Sequence, residues 1–127
     1  MEHPCLNGRV VLVVEDETLV GLDMQDLLKD YGATVLLARN VKDALSLAET
    51  RELGAAVLDI NLAGDDCSRV CQRLSERGIP FMFHTGYTDA PVLTRWSAAP
   101  VVYKPAAGKS IINALTSLNS RPLGHVA

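Results

Sequence analysis

Five short apolar runs, each followed by a stretch of different periodicity, restrict this chain to a narrow set of folds. The runs are Val10–Val14, Ala33–Ala38, Ala55–Ile60, Ile79–Thr85 and Val101–Lys104. Strands buried on both faces read as near-continuous apolar runs rather than as alternating ones. After the first run, Val20, Met24, Leu27, Leu28 and Tyr31 recur at helical spacing, and Gly32 is a fitting stop. Asn40 reads as the N-cap of a second helix carrying Val41, Ala44, Leu45 and Ala48. A loop with Gly64 follows the third run, and Asp65 or Asp66 caps a third helix holding Val70 and Leu74 and ending at Gly78. Between Pro91 and Ala98 there is room for one short helix; the last runs from about Lys109 to Leu118. Such alternation implies a doubly wound α/β fold, a parallel sheet with right-handed crossovers and helices on both faces. Five units allow the strand order 2-1-3-4-5, whose switch point lies between the first and third strands.

Three of the runs stop abruptly at charge: the first at Glu15-Asp16, the third at Asp59, the fifth at Lys104-Pro105. In an open parallel sheet, the carboxyl ends of the strands border the crevice where ligands bind. Glu15, Asp16 and Asp59 would therefore meet at one edge, and Lys104 would reach it from the fifth strand. Crowded carboxylates raise one another's pKa unless a cation neutralises them. A hard divalent ion does so, and Mg²⁺ typically takes one or two carboxylates with waters and phosphate oxygens. Asn61 can add its backbone carbonyl. Lysine offers a compact point charge to a carboxylate or a phosphoryl oxygen. Thr85 brings a hydroxyl to the same edge, and Gly86 leaves space beside Asp59. Glu17 and Asp65 read instead as helix caps or solvated loop acids.

Composition bounds the remaining options. The 127 residues fit one domain, and 48% apolar residues suffice for a core. We expect a lead over 1–8, a single domain over 9–119 and a flexible tail over 120–127. With 12 basic against 15 acidic side chains and no basic patch, nothing points to nucleic acid. No apolar run approaches a membrane span and the start is not a signal peptide, which leads to an expectation of a cytoplasmic protein. Cys5, Cys67 and Cys71 make an odd set without framework spacing, as in a reducing compartment. Cys67 and Cys71, four apart, are either buried thiols or half of a metal site. His84, flanked by apolar residues, is either a hydrogen-bonded core histidine or a group with a proton or metal role.

Taken together, Val-Val-Glu15-Asp16-Glu17, Leu58-Asp59-Ile60-Asn61, Thr85-Gly86 and Lys104-Pro105 resemble the receiver domain of two-component response regulators. The resemblance covers roughly Arg9 to Leu118 and implies a flavodoxin-like three-layer sandwich. It implies that Asp59 accepts a phosphoryl group from the phosphohistidine of a sensor histidine kinase. It implies Mg²⁺ held by Asp16, Glu15, Asp59 and the Asn61 carbonyl, with Thr85 and Lys104 gripping the phosphoryl oxygens. Pro80-Phe81-Met82-Phe83-His84-Thr85-Gly86-Tyr87 also looks like the motif of the alphaproteobacterial "FAT GUY" receivers, which are linked to HWE-type kinases. That motif has Ala where this chain has His84.

The chain departs from the common receiver pattern at Ala63, where a proline is usual, and at Val101, where an aromatic switch partner is usual. Tyr87 or Tyr103 can take that switch role. With nothing but a short tail after the last helix, the expectation is a stand-alone receiver, monomeric or weakly dimeric. It would signal through a phosphorylation-induced surface change to a downstream protein, or act as a phosphate sink. Its only chemistry would be its own phosphorylation and dephosphorylation. The alternatives are a phosphate-independent pseudo-receiver or an aspartate-nucleophile phosphatase. The former should have lost an acid or the lysine, and the latter should carry a second Asp where this chain has Asn61.

Overall fold

A computed structural model describes residues 5–62 and 64–118. The expected tail over 120–127, Ala63 and the first half of the expected lead lie outside the described residues. The five main strands are β1 (Val10–Val14), β2 (Thr34–Ala38), β3 (Leu53–Leu58), β6 (Phe81–Thr85) and β7 (Val101–Tyr103). They form one parallel sheet in the order β2-β1-β3-β6-β7. Counting these strands alone, that is the expected 2-1-3-4-5 order. Five helices cover the sheet: α1 (Thr18–Asp30), α2 (Val41–Leu47), α3 (Ser68–Glu76), α4 (Pro91–Arg95) and α5 (Gly108–Leu118).

The sheet separates two apolar layers. On one side Leu12, Val14, Leu58, Phe81 and Phe83 meet α2, α3 and Val92 of α4. On the other, Val11, Val13, Val57 and Met82 meet Met24 and Leu28 of α1 and Ile111, Ile112 and Leu115 of α5. Successive strand residues point to opposite faces, so unbroken apolar runs supply both layers at once. Leu6, in the expected lead, is also buried in the second layer, and its amide donates to the Tyr31 carbonyl.

Several helix ends follow directly from their residues. Asn40 caps α2, its side-chain oxygen accepting from the Asp43 amide at 2.8 Å. The amide of Ser68 donates to Asp66 Oδ1, so Asp66 rather than Asp65 meets the start of α3, and Asp65 stays exposed. Gly32, past the end of α1, has φ +97°, where a Cβ would also collide with the Asn7 side chain. The left-handed region costs an L-residue roughly 1–2 kcal/mol, before any crowding. Gly32→Ala should therefore lower unfolding free energy by at least about that amount. A urea titration at constant m-value measures it, and an unchanged midpoint would show that the turn relaxes freely.

Two elements differ from expectation. The third strand starts at Leu53 and stops at Leu58, because Asn61–Leu62 (β4) leaves the sheet to pair antiparallel with Asp65–Asp66 (β5). Two-residue strands carry no periodicity, so sequence alone shows only a loop there. The 88–100 segment is better anchored than its lack of a stripe suggests. Val92 and Ala99 are buried, and Trp96 meets Phe81 edge-on at 5.7 Å.

Candidate functional site

The site forms where four strands run out. The amide of Glu15 donates to the Ala38 carbonyl, that of Asp59 to Val14, and that of Lys104 to Thr85, each at 2.8–2.9 Å. These bonds continue the sheet one residue beyond its strands and fix the backbones that carry the three charges. Glu15 is 3% exposed and Asp59 7%, while Thr85 is wholly buried.

Lys104 organises the acids. Its Nζ lies 2.8 Å from Glu15 Oε1, 3.0 Å from Asp59 Oδ2 and 3.3 Å from Glu17 Oε1. Burial and the neighbouring Asp59 charge push the Glu15 carboxyl above its usual range, although the hydrogen bond from Lys104 opposes them. Burial disfavours the Lys104 charge, but its bonds to Glu15 and Asp59 outweigh that and raise its pKa. The cluster is thus a buried acid pair held around one cation. Asp59 Oδ1, however, is buried with no hydrogen-bond partner among the described residues. A carboxylate oxygen shut away from water and unpaired is costly unless another cation or donor completes it.

That oxygen belongs to a residue lining a 390 Å³ cavity, together with Asp16, Glu17, Asn61, Gly86, Tyr87 and Lys104. Oxygens of Glu15, Glu17 and Asp59 lie within 4.8 Å of one another, close enough to share a metal ion. The donor set is all oxygen, which suits a hard divalent cation.

Glu15, Asp16, Asp59, Asn61, Thr85, Tyr87 and Lys104 therefore collect at this edge, and the structure adds Glu17. Glu17 occupies the N-cap position of α1, yet its side chain makes no capping bond and turns toward Lys104 instead. Three consecutive acids were the available signal for it. Across the mouth of the cavity, Asn61 Nδ2 donates to the Tyr87 hydroxyl at 3.1 Å, and the Tyr87 amide donates to Thr85 Oγ1 at 3.2 Å. Tyr87 thus ties the end of β6 to the loop after β3. Tyr103 is half exposed on β7.

Two other candidates resolve differently. Cys67 and Cys71 are fully buried with their sulfurs 3.8 Å apart. Their mutual hydrogen bond, then burial, drives the Cys71 thiol far above its usual pKa. No third ligand joins them among the described residues. His84 is buried on the α1–α5 side of β6, opposite Thr85, but lacks the hydrogen-bond partner a core histidine was expected to have among the described residues.

A doubly wound sheet that gathers acids and a lysine at the carboxyl ends of its strands is the architecture of receiver-type domains. The response regulator receiver domain family matches residues 11–116, and the chain belongs to that family. No curated protein matches it in sequence. Among solved structures it resembles the non-phosphorylated HemR receiver domain of Leptospira biflexa, at 23% identity and TM-score 0.80, covering 93% of this chain and 99% of that one. It also resembles the receiver domain of PhyR from Erythrobacter litoralis, at 21% identity and TM-score 0.79, covering 95% and 97%. PhyR from Brucella abortus matches at 23% identity and TM-score 0.73, over 89% of this chain but 48% of that protein. Among the described residues, no helix is long and apolar enough to cross a membrane.

Proposed function

We propose that this chain is a phospho-accepting receiver in which Asp59 takes a phosphoryl group from the phosphohistidine of a sensor histidine kinase. The observation that carries this reading is the state of Asp59. It is 7% exposed, one oxygen is paired with Lys104 at 3.0 Å, and the other is buried beside the acidic cavity without a partner among the described residues. In the transfer, an Asp59 carboxylate oxygen forms the new O–P bond as the imidazole N–P bond breaks, and the imidazole leaves. Lys104 then exchanges one carboxylate for a phosphoryl oxygen, and Thr85 offers its hydroxyl to another. The product adds about −1.5 to −2 charge at this edge.

Glu15, Asp16, Asp59 and the Asn61 carbonyl, with Glu17 adjacent, suit Mg²⁺. Bound there, it would neutralise the acids and the incoming phosphoryl oxygens. We place the receiver unit at 9–119 and the protein in the cytoplasm, as a monomer or weak dimer. The Phe83–Tyr87 sequence supports membership of the FAT GUY group, and with it an HWE-type kinase partner. Tyr87, bonded to Asn61, is the stronger candidate for the switch aromatic. Output is through a surface altered on phosphorylation, or through competition for phosphoryl groups.

Incubation with acetyl phosphate should label the protein in Mg²⁺ and not in EDTA, as read by intact mass. Asp16→Ala should weaken Mg²⁺ binding by about tenfold or more, the size of losing one charged ligand contact. Unaltered Mg²⁺ affinity in that variant would move the metal site away from Asp16.

A further inference from the structure

The acidic cavity is not alone near the sheet edge. A 620 Å³ cavity lies between α1 and α5, walled by Val20, Met24, Leu27 and Ile111, with His84 and Asp23 among its lining. Its volume is in the range of small-molecule pockets, and its character is the usual one, apolar walls with a few polar groups. His84 is the anomaly. It is 7% exposed, lines this cavity, and hydrogen-bonds no described residue. Burial, then the nearby Lys104 charge, holds its pKa below the ordinary value of 6.5, so at neutral pH it keeps a bare nitrogen able to accept a hydrogen bond. Asp23 is exposed and pairs with no described residue. Lys104 also borders the cavity, but its ammonium is held by three carboxylates.

We infer that this cavity is a binding site for a small aromatic amine with a hydroxyl on its ring. The ring would occupy the apolar walls, the hydroxyl would donate to the His84 imidazole, and the ammonium would sit against the Asp23 carboxylate. The site shares only Lys104 with the Asp59 cavity, and its occupancy requires no phosphorylation. A small ligand suits it better than a protein segment, because the polar group to be met lies nine-tenths buried.

The probe is tyramine, titrated into the full chain and followed by the imidazole nitrogen resonances of His84. Saturable shifts at His84 are expected. p-Cresol, lacking the ammonium, and phenethylamine, lacking the hydroxyl, should each bind about tenfold more weakly, as for loss of one polar contact in a dry pocket. Asp23→Asn, on an exposed helix face, should weaken tyramine by a similar factor and leave p-cresol unchanged. His84→Phe should fill the cavity and abolish saturable binding, with backbone amide spectra confirming the fold. Histidine resonances unmoved up to the solubility limit of tyramine would overturn the assignment. So would equal binding of all three compounds, or tyramine affinity unaltered by Asp23→Asn.

Discussion

Asp59→Asn should abolish phosphoryl uptake from acetyl phosphate in Mg²⁺, while the wild-type chain gains one phosphoryl mass. The variant is nearly isosteric, so core packing is retained and the loss is chemical. An amide oxygen cannot form the acyl phosphate, and the amide brings no charge to hold a cation. The reading tested is specific because Glu15, Asp16 and Glu17 remain at the same edge. Residual labelling of Asp59→Asn at the wild-type rate would transfer the acceptor role to one of them. Peptide mapping after borohydride reduction would then identify it.

Lys104→Met should destabilise the metal-free domain by roughly 3 kcal/mol at neutral pH, the low end of the cost of breaking a buried ion pair. The low end applies because the Lys104 side chain keeps 19% exposure and that of Glu17 65%, while the side chains of the two buried acids left behind, Glu15 and Asp59, keep 3% and 8%. The sign with pH follows. Without Lys104 the buried Glu15 carboxyl, already raised by burial, loses the bond that opposes the rise, so the folded state binds a proton more readily than the unfolded one. Stability relative to wild type should then be nearly restored below the unfolded carboxyl pKa and lost as pH rises through the folded one. Adding Mg²⁺ should return part of the loss. Urea midpoints at several pH values, with and without Mg²⁺, measure this. A pH-independent deficit that Mg²⁺ leaves untouched would mean that the methylene stem, not the charge, supports the fold.

The strand order and the edge residues were legible because both rest on long-range regularities. Val10–Val14 and its counterparts announce buried parallel strands, and three of them stop at the charged residues that gather at one edge. Gly32 and Asn40 marked helix ends through their own backbone and side-chain preferences. What escaped was set by tertiary geometry. The β4–β5 hairpin is too short to show a period. Glu17 looked like a cap, but a lysine 87 positions away draws its carboxylate. Trp96 gives order to an aperiodic segment by meeting Phe81, a contact no local pattern encodes. His84 appeared to be one more core residue because sequence cannot show that its expected partner is a cavity.

Thr85 and His84 are neighbours on β6 yet face opposite helical layers. The pleat makes their directions inseparable, since one peptide unit fixes both. Any drag on Thr85 toward the sheet edge must therefore tilt the imidazole on the reverse side, like two pans of one balance. The strand is a mechanical partition with a handle on each face, and a perturbation applied to either face is delivered to the other without travelling round the rim of the domain.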